Sequence, residues 1–185
     1  MRRASIRSKT IILLVGLAGL IPALYGSGDE PAVSPSENAA GLKISSPERR
    51  VEFTNDAWEK LPRKSVMVND RDGAVLEYAG ILVSELLKLV GVELGGALRG
   101  PLLARYALVE AADGYRVVFS LPELDSDTTE RVVLLADKCD GKPLDANEGP
   151  FRIVIPDEKR HARWVRRVTS ITVREVPRPT ADKKE

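Results

Sequence analysis

Short apolar runs separated by tight-turn dipeptides fill the sequence after residue 50, and they limit the folds open to it. The dipeptide Asp-Gly, which favours a reversal of the chain between two strands, occurs at Asp72-Gly73, Asp113-Gly114 and Asp140-Gly141. The runs between these turns are rich in Val, Ile and Tyr, as β-strands are. We therefore predict strands at residues 65–68, 75–78, 106–111, 116–119, 131–136, 151–155 and 171–176.

Helical patterns are fewer and shorter. One helix is predicted at residues 83–90, followed by Gly91 at the position of a C-terminal cap. Its apolar residues share one helical face: Val83, Leu86, Leu87 and Val90. Two shorter helices are predicted at residues 56–61, before Pro62, and from Ser120, where Ser-Leu-Pro-Glu has the form of a capping box. Since strands outnumber helices and no regular crossover pattern is present, the predicted fold class is α+β.

The first 28 residues have the pattern of a secretory signal peptide. Four cations precede an apolar run at residues 11–24, and Gly26-Ser27-Gly28 supplies the small residues of a cleavage site. The run is short for a membrane span, which needs about 20 apolar residues. We predict cleavage and a periplasmic or secreted protein with no membrane span after the leader is removed; an uncleaved N-terminal anchor is the alternative.

Composition shifts divide the rest of the chain. Residues 29–47 carry scattered Pro, Ser, Asn and Gly without periodicity, which is typical of a linker. Residues 48–176 contain the predicted strands and helices and form the predicted domain. Residues 177–185 begin with Pro-Arg-Pro and end in charged residues, which predicts a disordered tail.

Charge and cysteine content exclude several classes of protein. Removing the leader takes away four of the 28 Lys and Arg, which leaves 24 against 27 Asp and Glu. This balance provides no basic surface for nucleic acid, so no nucleic-acid partner is predicted. Cys139 is the single cysteine, so an internal disulfide is impossible and a hydrophobic core must stabilise the domain.

Common catalytic signatures are missing from the sequence. It has no phosphate-binding glycine loop, nucleophile elbow or zinc-protease motif. His161 lies in a basic segment and is interpreted as a surface residue, and Cys139 as a free, partly exposed thiol. Arg152 lies between Phe151 and Ile153, where strand alternation would direct it to solvent. An inward Arg152 would instead need an anion or carbonyl partner.

Six short motifs in a fixed order resemble a known family. They are Trp-x-x-Leu-Pro-Arg (58–63), Tyr-x-Gly-Ile leading into a Leu-Leu helix (78–87), Ala-Asp-Gly-Tyr (112–115), Leu-Ala-Asp with Asp-Gly-x-Pro-Leu (135–144), Gly-Pro-Phe-Arg-Ile-Val-Ile-Pro (149–156) and a closing Trp-Val segment with Val-x-x-Ile-x-Val (164–173). Together they resemble the oxidoreductase molybdopterin-binding domain of sulfite-oxidase-type enzymes, over about residues 53–176. The resemblance implies that family's α+β fold, with mixed and antiparallel sheets and few short helices, and a pocket for a molybdenum–molybdopterin cofactor and an oxyanion.

The same resemblance assigns roles to individual residues. Tyr115 matches a tyrosine on the substrate side of the metal and is the candidate catalytic residue. Arg152 matches an arginine of the anion pocket, and Arg163 and Arg166 fall in a segment that helps to bind the cofactor. In catalytic members a cysteine thiolate binds molybdenum in the loop that corresponds to residues 69–73, but the sequence here is Asn-Asp-Arg-Asp-Gly. No metal ligand is therefore predicted. The molybdenum–molybdopterin cofactor could be bound, but we expect it to be absent.

Three functions remain open at this point. The chain is predicted to be an exported protein with a molybdopterin-dependent-oxidoreductase-type domain that is degenerate at the molybdenum ligand, and any activity would be that of such an oxidoreductase. It could instead be a cofactor-free module that binds a small anion, an oxyanion or a protein. The third function is an accessory subunit of an exported redox complex, with a redox partner protein.

Overall fold

The computed structural model describes residues 41–69 and 73–177, apart from the side chain of Asn55. The predicted signal peptide, most of the linker at 29–47 and most of the tail at 177–185 lie outside these residues. In the described part the strands are β1 (Lys43–Ser45), β2 (Arg50–Glu52), β3 (Lys64–Asn69), β4 (Val75–Leu82), β5 (Arg105–Ala111), β6 (Arg116–Ser120), β7 (Leu134–Cys139), β8 (Lys142–Pro143), β9 (Arg152–Val154) and β10 (Val168–Glu175). The α-helices there are α1 (Asn55–Glu59), α2 (Val83–Leu89) and α3 (Leu121–Leu124).

The strands form two sheets. The first has the order β2-β1-β10-β5-β6, in which β1 and β10 are parallel and the other neighbours antiparallel. The second has the order β3-β4-β7-β8, with β9 also paired to β7, and all of its pairs are antiparallel. Mixed and antiparallel sheets with few short helices confirm the predicted α+β class.

One hydrophobic core serves both sheets. The first sheet contributes fully buried residues such as Ile44, Val109 and Ile171, and the second contributes Ile81, Leu135 and Ile153. Backbone hydrogen bonds also connect the two sheets. For example, Val168 N–H, at the start of β10 in the first sheet, donates to the carbonyl of Phe151, the residue before β9 in the second sheet, at 2.9 Å. The segment around β9 is thereby held at the interior of the domain.

Turn and cap chemistry sets the ends of the elements. Asp113-Gly114 joins β5 to β6 as predicted, and Asp140-Gly141, with φ of 49° and 75°, joins β7 to β8. Helix α2 ends in a Schellman motif, because Val92 N–H donates to the Leu87 carbonyl and Gly91 N–H to that of Lys88, both at 3.1 Å. This confirms the predicted cap at Gly91, whose φ is 79°.

The sequence motifs meet in a buried polar cluster. The Trp58 indole N–H donates to Asp137 Oδ2 at 2.9 Å, and Arg63 forms an ion pair with Asp137 Oδ1. Trp58 and Arg63 belong to the first motif and Asp137 to the Leu-Ala-Asp motif. The cluster therefore joins the α1 region to β7 and satisfies a carboxylate that is 6% exposed.

The linker prediction needs correction at its C-terminal end. Residues 43–45, predicted as linker, form β1, and Leu42 and Ile44 are 1% and 0% exposed. Three residues are too few to show a strand period, and β1 is stabilised by distant pairing with β10. The strand predicted at 131–136 is also displaced, to Leu134–Cys139. No helix in the described ranges 41–69 and 73–177 is long and apolar enough to cross a membrane.

Candidate functional site

Arg152 points inward from β9. Its exposed fraction is 6%, and its neighbours Phe151 and Ile153 are 1% and 0% exposed. The expectation that alternation directs Arg152 to solvent is therefore wrong. Both faces of β9 are covered, so its residues are buried without alternation.

The Arg152 guanidinium is held by an anion, a hydroxyl and two aromatic rings. Its Nη1 lies 2.5 Å from Glu148 Oε1 and donates to Tyr78 Oη at 2.9 Å. The guanidinium carbon lies 5.4 Å from the centre of the Tyr78 ring and 5.2 Å from that of Trp164, within the range of a cation–π interaction. Its Nε is buried and has no hydrogen-bond partner among the described residues.

A cavity of about 520 Å³ lies beside this guanidinium. That volume is within the range of small-molecule sites. Its wall combines apolar, aromatic and charged side chains: Leu76, Tyr78, Cys139, Lys142, Pro143, Leu144, Asp145, Glu148, Arg152, His161, Trp164 and Arg166. The cations Lys142, Arg152 and Arg166 thus share the cavity with the carboxylates Asp145 and Glu148.

Arg166 is the second cation near Glu148. Its Nε lies 3.8 Å from the same Glu148 oxygen that contacts Arg152. The Arg166 side chain is 58% exposed, so its attraction to Glu148 is screened by solvent and contributes little to stability. Arg166 is therefore held more weakly than Arg152, whose guanidinium is buried in the wall.

Tyr78 and Cys139 form the part of the wall contributed by the second sheet. They are opposite each other in the pairing of β4 with β7. Burial raises the pKa of Tyr78 to about 12; Arg152 opposes the shift, and Glu148 and Cys139 add to it. Burial also raises the pKa of Cys139, and the charge of Asp140 acts in the same direction. Both groups therefore favour their neutral forms.

Two aromatic residues after β9 complete the wall. The His161 ring stacks on that of Trp164, with 3.7 Å between ring centres and 14° between planes. Trp164 is 5% exposed, and its indole N–H is buried without a partner in the described part of the chain. His161, interpreted from sequence as a surface residue, thus lies on the cavity.

Tyr115 lies elsewhere. It follows the β5–β6 turn, is 50% exposed, and its hydroxyl donates to the Ala162 carbonyl at 2.7 Å. The resemblance places Tyr115 on the substrate side of the same pocket as Arg152, but Tyr115 does not line the cavity beside Arg152. The hydrogen bond to Ala162 gives Tyr115 a positioning role on the segment that carries His161 and Trp164. Its catalytic role stays a prediction.

Arg163 and Arg166, the other two arginines that the resemblance assigns to the cofactor, lie in different surroundings. Arg166 lines the cavity, whereas Arg163 does not. Arg163 forms ion pairs with Glu123 and Glu158, and its guanidinium lies 4.9 Å from the centre of the Phe119 ring. These contacts connect the segment after β9 to α3 and give Arg163 a structural role in the domain.

Comparison with protein families identifies the domain. The sequence model of the oxidoreductase molybdopterin binding domain matches residues 44–181. The chain belongs to this family. The match begins within β1 and covers all later elements of the described residues and the cavity, and it confirms the resemblance seen in the motif order. A comparison with curated proteins found no match.

The family binds molybdopterin, so the donor set of this chain can be compared with that group. The residues that the structure describes contain no group of three or more His, Cys, Asp or Glu that could hold a metal ion. The one thiol of the sequence, Cys139, is in the cavity at the end of β7, not in the loop at 69–73 where the resemblance places the thiolate ligand of the family. The orphaned N–H groups of Arg152 and Trp164 are donors, and they suit oxygen atoms of an anion rather than a metal.

Sequence reasoning missed most of the cavity wall. Tyr78 and Cys139 come together only through the register of β4 and β7, and Glu148 reaches Arg152 through the loop before β9. The four-residue spacing of Glu148 and Arg152 did not predict their contact. That spacing brings side chains together on a helix, and these two residues are not in a helix. Trp164 carried a signal, since it belongs to the closing motif.

Proposed function

We propose that this chain is an exported member of the molybdopterin-binding family that binds a small oxyanion in the Arg152 cavity without molybdenum. The observation that supports this proposal most directly is the Arg152 guanidinium, which is buried in the cavity wall with an unpartnered Nε. A guanidinium always stays charged and presents five donors. Glu148 and Tyr78 both engage Nη1, and Nε is the donor without a partner among the described residues.

The donor chemistry of the chain supports the proposal that molybdenum is absent. The sequence at 69–73 provides amide and carboxylate groups where the family uses a thiolate. Soft thiolate ligands are the ones that anchor and tune such metals. Cys139 lies at the end of β7, outside that loop. In this reading the chain retains the scaffold and the anion pocket of the family and lacks the metal ligand.

Export is part of the same proposal. The pattern of residues 1–28 supports a signal peptide, which would place the domain in the periplasm or outside the cell. A small-anion site there would contact solutes taken up or released by the cell.

Molybdenum-dependent oxidoreductase activity is the second candidate. The observation that favours it is Cys139 on the same cavity as Arg152, Tyr78 and Trp164. Elemental analysis of protein purified from a host that makes the cofactor separates the two candidates. We expect far less than one molybdenum per chain; a stoichiometric amount that is lost in Cys139→Ser would establish the oxidoreductase alternative.

Anion binding is tested by calorimetric titration of the metal-free protein with phosphate, sulfate and formate. We expect Arg152→Lys to bind at least about tenfold more weakly, because an ammonium cannot hold an oxyanion with a planar fork. Arg174→Lys makes the same guanidinium-to-ammonium change at an exposed position outside the cavity wall and serves as the control. Equal affinity of the Arg152→Lys variant and the parent protein would contradict the proposed site.

A further inference from the structure

We propose that the cavity selects a singly charged oxyanion that still carries a proton and discriminates against dianions of the same shape. This inference rests on the proposed function, because it concerns the ligand class of the Arg152 site. The residue that makes the selection is Glu148.

The geometry places a carboxylate beside the guanidinium that would receive the ligand. Glu148 Oε1 lies 2.5 Å from Arg152 Nη1 and 3.8 Å from Arg166 Nε. Arg152 and Glu148 both line the cavity. An oxyanion that accepts a hydrogen bond from Arg152 must therefore lie close to the Glu148 carboxylate.

The conformation of its loop holds Glu148 in this position. Asp145 Oδ1 accepts hydrogen bonds from the backbone N–H groups of Asn147 and Glu148, at 2.8 and 3.0 Å. The Glu148 carbonyl accepts from Arg167 N–H at 2.9 Å. The backbone on which the carboxylate is carried is thus tied at both ends, and retreat from an incoming anion would break the ion pair with Arg152.

Charge then decides which anions are accepted. Glu148 neutralises one of the two arginines near it, so the pair of arginines and the carboxylate carry a net charge of about +1 toward the ligand. A monoanion neutralises this net charge. A dianion adds one uncompensated negative charge beside the Glu148 carboxylate, which is only 23% exposed. Lys142 and Asp145, at exposed positions of the wall, offset each other.

The proton of the ligand supplies the second criterion. An ionised carboxylate accepts hydrogen bonds and donates none. Both arginine contacts fall on Oε1, which leaves Oε2 as an acceptor for a ligand hydroxyl. An oxyanion that has lost its last proton cannot donate to Oε2 and instead places an unprotonated oxygen next to it. The site therefore distinguishes the protonated from the unprotonated oxyanion by a hydrogen bond as well as by charge.

The test compares three tetrahedral anions at mildly acidic pH by calorimetry. Dihydrogen phosphate is a monoanion with hydroxyl donors, methanesulfonate is a monoanion without one, and sulfate is a dianion. We expect dihydrogen phosphate to bind at least about tenfold more tightly than sulfate, which corresponds to about 1.4 kcal/mol, with methanesulfonate between them.

The variant Glu148→Gln isolates the cause. It removes the charge and keeps the size of the side chain, so we expect sulfate to bind at least about tenfold more tightly than to the parent protein and the preference for phosphate to shrink. Glu77→Gln, an exposed residue of β4 outside the cavity wall, makes the same charge change and should preserve the preference. Equal binding of sulfate and dihydrogen phosphate by the parent protein, or an unchanged preference in Glu148→Gln, would overturn the inference while leaving the anion site. Failure of the parent protein and of Glu148→Gln to bind any of the three anions would overturn the proposed function itself.

Discussion

Tyr78 and Cys139 lie opposite each other across β4 and β7, and each changes the acidity of the other. The hydrogen bond from Tyr78 lowers the pKa of Cys139, while Cys139 raises that of Tyr78. For the thiol, burial and Asp140 prevail, and its pKa remains raised. The pair therefore gives the cavity two neutral groups beside a permanent cation.

The raised pKa of Tyr78 predicts a loss of stability at alkaline pH. The unfolded phenol loses its proton near pH 10, whereas the folded one keeps it until about pH 12. Because the unfolded state then binds fewer protons, the free energy of unfolding falls across this interval, by about 2–3 kcal/mol for a shift of this size. Urea unfolding of the parent protein and Tyr78→Phe measures the effect. The variant should lose less stability across the interval, and parallel curves would contradict the assignment.

Alkylation of Cys139 should be slower than that of a small free thiol at the same pH. Its raised pKa reduces the thiolate, which is the reactive form. Asp140→Asn should accelerate the reaction, since Asp140 raises this pKa and Asn tolerates the φ of 49° at that position. The rate measured against pH with iodoacetamide checks both statements. A rate unchanged by the substitution would show that burial alone controls the thiol.

Removal of Arg152 should cost stability, contrary to what a solvated pocket charge would imply. Arg152 is 6% exposed and paired with Glu148, so Arg152→Ala leaves a partly buried carboxylate without its partner. The expected loss is up to about 3–5 kcal/mol, the range for a broken buried ion pair. The double variant Arg152→Ala with Glu148→Ala should recover about 0.5–3 kcal/mol of it. Strictly additive losses in denaturant unfolding would argue against coupling of the two residues.

Gly80 allows β4 to approach β7 at a bulge. A Cβ at this position would lie 2.1 Å from the Leu135 carbonyl oxygen and 2.6 Å from the Ala136 Cα. Both are backbone atoms and cannot rotate away, so Gly80→Ala should destabilise the domain by about 1–3 kcal/mol or more. Gly96→Ala is the matched control, because a Cβ there meets nothing within 4 Å. In thermal unfolding, Gly80→Ala should have a clearly lower midpoint than Gly96→Ala. Equal midpoints would contradict the close approach of β4 to β7 at Gly80.

We also expect the exported protein to lack its first residues. Intact mass analysis of the extracytoplasmic fraction should place the mature N-terminus at about residues 26–29. Leu14→Arg puts a charge in the apolar run and should retain the protein in the cytoplasm. A mass that still includes Met1 in the exported fraction would defeat the prediction of cleavage.

Local sequence signals accounted for most of the elements and for little of the site. All seven predicted strands are present in the described residues, because alternation and Asp-Gly turns are encoded locally. Strands β1, β2 and β8 were missed, since each has only two or three residues and is too short to show a strand period. The sequence singled out Arg152, but its partners Tyr78 and Glu148 come from β4 and from the loop before β9. Tyr115 does not line the cavity, and its hydroxyl donates to the Ala162 carbonyl.

Strand β1 lies between β2 and β10 in the first sheet. A chain shortened to begin at residue 48 would leave one side of β10 without a neighbour, with its N–H and C=O groups open to pairing. Such an edge invites a strand from a second molecule. The three residues Lys43–Ser45 therefore cover one side of β10, and we expect the shortened chain to associate on storage more readily than the longer one.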